Sequence, residues 1–120
     1  MRDTGASREI RTAVVARSQV RGHPSCERCG AAPPEQIHHR KPRRLGGTRD
    51  PQANQPANLV AICAGCHLAI EMHRSRAYAE GWLVPDGNDP AETAVFYRRR
   101  WVHLDHAAGI TELATVDEQE

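Results

Sequence analysis

Ile10, Ala13, Val14 and Arg17 recur at helical spacing through Ser7 to Val20, which predicts an N-terminal helix. Ser7 or Thr4 can cap its start, and Gly22-His23-Pro24 should end it. After Pro33-Pro34 the stretch Glu35 to His39 predicts a short strand that closes on a pair of histidines. Arg40 to Pro56, rich in Arg, Gly, Pro, Gln and Asn, predicts a loop. The compact apolar run Asn58-Leu59-Val60-Ala61-Ile62 suits a second strand paired with the first. From Gly65 to about Tyr78 a helix is expected, with Leu68, Ile70 and Met72 among its apolar positions and Gly81 as its stop. Trp82-Leu83-Val84 and Val95 to His103 predict short strands on either side of a turn-rich Pro85 to Pro90. Thr111 to Glu120 predicts a frayed, acidic end. The chain is therefore expected to be α+β, with a helix in 1–24, a core in 25–84 and a β extension with an acidic tail in 85–120.

With 120 residues, 39% of them hydrophobic and 4% aromatic, the apolar core is thin for the length, and a covalent or metal staple is expected. Four cysteines supply one. Cys26-Glu27-Arg28-Cys29 and Cys63-Ala64-Gly65-Cys66 are two knuckles separated by 33 residues, a pattern that can fold back to offer four thiolates to one tetrahedral zinc. Two disulfides would need an oxidising compartment, and the opening Met1-Arg2-Asp3-Thr4-Gly5 carries no apolar signal segment, so a cytoplasmic location and zinc are expected. A redox dithiol would need only one knuckle. A four-cysteine site leaves no open coordination position, so its expected role is to hold strand, loop, strand and helix together, the ββα-metal arrangement, and not to catalyse. No apolar run approaches the roughly 18 residues that cross a bilayer, so no membrane partner is expected.

The net charge of +1 conceals a division along the chain. Residues 1–60 carry eleven Arg and Lys against five Asp and Glu, while residues 61–120 carry five against ten. The basic half is the candidate nucleic-acid face, with Arg40, Lys41, Arg43, Arg44 and Arg49 the expected phosphate contacts between the two strands. Arg98-Arg99-Arg100 is either an edge-strand charge device or a second patch on DNA. His23, His103 and His106 lack ligand spacing and are expected to be surface or capping side chains.

Adjacent strand residues point to opposite faces, so His38 and His39 cannot both bind one metal and can divide two tasks. One can face a metal held against the following helix; the other can take a proton from water. His67 is the natural second ligand, and Glu71 stands one turn on along the same helix face.

These residues resemble the HNH endonuclease family. The resemblance runs through Cys26-x-x-Cys29, Ile37-His38-His39-Arg40-Lys41-Pro42, Gly46-Gly47, Asn58-Leu59-Val60 and Cys63-x-x-Cys66-His67, and Ala77-Tyr78-Ala79-Glu80-Gly81-Trp82-Leu83-Val84 is similar to the tail of small phage and actinobacterial members. It implies a treble-clef-like core in which His38 binds the catalytic divalent metal, His39 is the general base, Asn58 fixes the base-bearing loop and His67 is a metal ligand. The departure is at residue 71, where the family usually has a second histidine. His73 is two residues further on and points roughly 120° away from His67 on a continuous helix, so Glu71 is favoured with His73 as the alternative. Glu71 as a solvated partner of Arg74 or Ser75 is the competing expectation.

The resemblance implies metal-assisted hydrolysis of double-stranded DNA using one divalent ion (Mg²⁺, Mn²⁺, Ni²⁺ or Zn²⁺) beside the structural zinc. A monomer or homodimer is expected, with the packaging terminase as a partner if the chain is phage-encoded. The alternative is a zinc-stabilised DNA-binding or packaging adaptor with an impaired nuclease centre.

Overall fold

The computed structural model describes residues 6–42 and 52–113, and among them it is a mixed helix and strand fold with three small antiparallel sheets. Helix α1 (Arg8–Arg17) starts at Ser7, whose side-chain oxygen accepts the Ile10 N–H. It ends sooner than the apolar spacing predicts. Gln19–Val20 (β1) and His23–Pro24 (β2) pair as a miniature hairpin across Arg21 and Gly22, both at positive φ, and this turn takes the residues that a longer helix would have used.

Strand β3 (Gln36–His39) pairs with β4 (Leu59–Ile62) in a register that sets His38 opposite Val60 and His39 opposite Leu59. All four residues of β4 are buried because both its faces are covered. Leu59 and Ala61 join Ile37 under Val14 of α1, while Val60 and Ile62 enter the larger core with Ile70, Trp82, Val95, Val102 and Leu104. The helix after β4 is two helices, α2 (Ala64–Met72) and α3 (Arg74–Ala79), broken at His73 with φ −129° and ψ 62°.

Gly81 follows at φ +82°, where an added Cβ would meet the Ala94 carbonyl oxygen at 2.0 Å; only glycine fits this crossing. Trp82–Val84 is buried but irregular, in place of the expected strand, because its backbone docks elsewhere: the Val84 N–H donates to the Arg40 carbonyl. Strands β5 (Val95–Tyr97), β6 (Arg100–Leu104) and β7 (Ile110–Glu112) then form an antiparallel sheet. The third strand takes the start of the segment expected to fray, since it pairs with β6 and is extended by Leu113 donating to Trp101. No helix among the described residues is long and apolar enough to cross a membrane.

Arg40 corrects the expectation of a DNA contact. It is fully buried, and its guanidinium donates to the carbonyls of Ala57, Gly81, Pro90 and Thr93 at 2.7–3.0 Å. Burial, with Arg17 nearby, pulls its pKa down to about 10, so it remains charged at neutral pH. A cation enclosed by four carbonyls is bound to the protein and unavailable to a phosphate. Arg98 likewise turns inward, donating to the carbonyls of Ser18, Ser25 and Cys26, whereas Arg100 pairs with Glu112 across the sheet edge. Replacing Arg40 with Leu strands those buried carbonyls and should cost about 3–5 kcal/mol, read as a shift in the urea midpoint.

Candidate metal and catalytic site

The two knuckles meet. One sulfur from each of Cys26, Cys29, Cys63 and Cys66 lies within 4.8 Å of the other three, and all four are free thiols. Cys29 Sγ and Cys63 Sγ are 4.0 Å apart; thiolates bound about 2.3 Å from a tetrahedral zinc would be roughly 3.8 Å apart. The sulfurs also collect donors suited to thiolates. Cys29 N–H reaches Cys26 Sγ at 3.4 Å, Ala31 N–H reaches Cys29 Sγ at 3.4 Å and Arg28 Nη1 reaches Cys66 Sγ at 3.2 Å. Burial opposes ionisation of Cys26, but backbone N–H groups of Cys29, Cys63 and Arg28 bring its thiol down to about 7. Burial, together with Cys26, pushes Cys66 up to about 12 against the pull of Arg28. This donor set fits a structural zinc, whose charge would stabilise the thiolates together.

A second group of donors comprises His38, His67 and Glu71, one ligand atom from each lying within 4.8 Å of the others. Strand alternation turns Gln36 and His38 toward α2, and the four-residue spacing puts His67 and Glu71 on one face of that helix. His38 is buried, with Nε2 2.8 Å from the Trp82 carbonyl oxygen; that bond requires the proton on Nε2 and leaves Nδ1 with a lone pair. Gln36 Oε1 holds His67 Nδ1 in the same manner, leaving His67 Nε2, which lies 4.0 Å from Glu71 Oε2. Burial pulls the His38 imidazolium down to about 4 despite the Trp82 bond, and charge on His67, His39 and Arg40 acts in the same direction. Neutral imidazole is the metal-binding form, so the residues fit a divalent ion. Glu71 Oε1 also pairs with Arg74 at 3.0 Å, so the solvated pair and the donor cluster coexist, one oxygen in each.

His73, the alternative ligand expected from sequence, lies apart from this group. The helix breaks at it, and its side chain lines a different cleft with Ala69, Ile70 and Trp82. The three-donor group contains Glu71 in its place.

His39 lies on the opposite face of β3, partly exposed, with Nε2 2.8 Å from Asn54 Oδ1. Donation from Nε2 places the lone pair of the neutral ring on Nδ1. Asn58 is fully buried: its Oδ1 accepts the Lys41 N–H at 2.7 Å, and its Nδ2 donates to the carbonyls of Lys41 and Ala53. It therefore ties the end of β3 to the residue preceding Asn54. Lys41 Nζ donates to the Asn88 carbonyl at 3.4 Å, and Arg43, Arg44 and Arg49 lie outside the described residues.

Gln36, Asn54 and the Trp82 carbonyl, which fix the three histidine rings, were not singled out from sequence. Gln36 carried a usable signal, since residue i+2 on a strand shares its face with His38. Asn54 and Trp82 reach their partners only through the folded chain.

Cys66→Ser should lower bound zinc from about one equivalent toward none, measured by metal release to a chromogenic chelator. A second expectation concerns acid. Between pH 6.5 and about 4 the unfolded His38 binds a proton that the folded one refuses, so stability falls as pH falls through this window. In EDTA, wild type should therefore lose more stability across it than His38→Gln, by urea midpoints at each pH.

Comparison with known proteins places this geometry. Residues 26–71 match the family model described as HNH endonuclease, a span that holds both knuckles, the histidine pair, Asn58, His67 and Glu71. A mitochondrial DNA mismatch repair protein mutS homolog of Sarcophyton glaucum is 41% identical over 59 residues, covering 48% of this chain and 6% of that protein. The chain thus spans a small part of that relative's length. No solved structure matches. Residues 26–71, under half of the chain, are thus similar to the HNH endonuclease family.

Proposed function

We propose that this protein is a metal-dependent endonuclease that hydrolyses phosphodiester bonds of double-stranded DNA, with β3, β4 and α2 as a ββα-metal core. The observation that carries this reading is the convergence of His38, His67 and Glu71 donor atoms within 4.8 Å, with His39 on the opposite face of the same strand. An HNH domain suggests nuclease-type chemistry and DNA as the substrate. The likeness to part of a protein named for DNA mismatch repair is in keeping with a DNA substrate. Partnership with a phage packaging terminase has only the sequence resemblance behind it.

In this mechanism His39 Nδ1 takes a proton from the attacking water, while donation from Nε2 to Asn54 keeps the ring aimed and stabilises the imidazolium. Asn58 holds the backbone on which Asn54 sits. His38, His67 and Glu71 would hold one divalent ion, which supplies Lewis-acid stabilisation of charge on the phosphate oxygens. The carboxylate favours harder ions such as Mg²⁺ and Mn²⁺.

Nicking of supercoiled plasmid under Mg²⁺, Mn²⁺, Ni²⁺ or EDTA tests the proposal directly. His39→Ala should lower the nicking rate by at least about 10²-fold with zinc content and DNA binding retained, and Asn54→Ala should lower it by a smaller factor. Undiminished cleavage by a clean His39→Ala preparation removes the base assignment. A band shift without cleavage under every ion would favour the adaptor reading. Glu71→Ala should weaken Mn²⁺ binding about tenfold or more in titration calorimetry, and His73→Ala should not.

A further inference from the structure

Across α2 from His67 and Glu71, a cleft of about 140 Å³ is lined by Arg28, Arg76, Glu80, Trp82, Phe96 and Arg99. A smaller neighbour of about 90 Å³ shares Arg28, Arg76, Glu80 and Trp82 with it. Three guanidinium groups thus face one carboxylate, and that carboxylate already has a partner: Glu80 Oε2 pairs with Arg76 Nε at 3.0 Å. The excess positive charge has no protein counterpart within the lining.

Arg28 adds a sharper observation. Its Nη1 is engaged by Cys66 Sγ, yet its Nε is buried without a hydrogen-bond partner, the one such side-chain atom among the described residues. A buried donor on a cation is costly to leave unpaired, by about 1–3 kcal/mol or more. An acceptor supplied from outside would satisfy it. The guanidinium fork matches tetrahedral oxyanions, and the space suits a phosphate group while falling below the roughly 300 Å³ of ordinary small-molecule pockets. Arg99 stands at the rim at φ +71°, in the turn that joins β5 to β6.

We propose that Arg28, Arg76 and Arg99 form a phosphate-binding site, separate from the His38, His67 and Glu71 group, that takes a backbone phosphate of the DNA substrate. Its identification with DNA rests on the nuclease reading above; the anion site itself does not. The position favours that source. An α-helix is about 10 Å across and the grooves of B-DNA are about 6 and 12 Å wide, so phosphates bordering one groove can lie on the two sides of α2. Trp82 links the two sites: its carbonyl holds His38, and the residue lines the cleft.

The test compares the zinc-loaded full chain with the double variant Arg76→Gln/Arg99→Gly. Neither position touches a cysteine, and glycine accepts the backbone at residue 99. Inorganic phosphate is titrated at constant ionic strength and followed by the ³¹P line width; separately, affinity for a short DNA duplex is measured against salt concentration without added divalent ions. The expected result is loss of phosphate broadening in the variant, with duplex affinity about 3- to 10-fold weaker and a log–log salt slope smaller by about 1. Altered duplex binding alone also supports a DNA-phosphate site. Loss of phosphate broadening with an unchanged duplex slope keeps the anion site and overturns DNA as its source. No difference in either measurement overturns the proposal. Because neither readout requires cleavage, a wild-type protein that binds in this way yet never nicks plasmid would overturn the nuclease reading and leave the phosphate site standing.

Discussion

Glu27 is the point at which separate parts of this small fold are joined. It sits inside the first knuckle, between Cys26 and Arg28, and is fully buried. Its two oxygens accept from Arg17 Nε and Nη2 at 2.7 and 2.9 Å, from the Ala61 N–H at 2.8 Å and from the Tyr97 hydroxyl at 2.5 Å. A carboxylate taken out of water is tolerated only when its lone pairs are nearly all engaged. Helix α1, strand β4 and the β5–β6 hairpin must therefore all be in place around the knuckle at once. Burial, together with the negative charge of the shared carboxylate, pushes the Tyr97 hydroxyl well above its usual pKa, which keeps it a donor.

The same arginine that meets Glu27 also reaches the carbonyls of Pro56 and Leu59, and Arg40 takes the carbonyl of Ala57 between them. Two buried cations thus grip the short turn that carries Asn58, the residue that ties Lys41 to Ala53. Positional accuracy at the candidate base is inherited through this chain: buried arginines fix the turn, the turn presents Asn58, and Asn58 fixes the backbone next to Asn54. The basic excess of residues 1–60 consequently overstates the charge offered to a polyanion. Arg17 and Arg40 are interior and bound to protein acceptors.

The division of labour between knuckles and histidines follows from coordination chemistry. Four thiols around one point close the coordination shell, whereas His38, His67 and Glu71 provide three donors beside open space, a cleft of about 290 Å³ bordered by Gln36, His67 and Glu71. The two groups are mechanically coupled because β4 leads directly into Cys63 and α2 carries Cys66 and His67 in succession. A metal held by the four cysteines would therefore bear on the placement of His67 against β3.

What the sequence by itself determined is the set of features with short-range causes. Cysteine spacing announced the knuckles, alternation on β3 separated the faces of His38 and His39, and the four-residue helical spacing paired His67 with Glu71. Helix and strand positions up to Ile62 were largely legible for the same reason. Only the tertiary structure decided the rest. Whether an arginine faces DNA or the interior depends on which carbonyls the distant chain leaves unpaired, and for Arg40 these come from Ala57, Gly81, Pro90 and Thr93. The helix break at His73, whose side chain lines a separate cleft, and the pairing of β7 with β6 were likewise hidden. The orienting contacts of Asn54 and Trp82 depend on backbone separated from the histidines by 15 and 44 residues. Local periodicity encodes which face a side chain occupies, but its partner is set by how the buried polar groups of the whole chain are satisfied together.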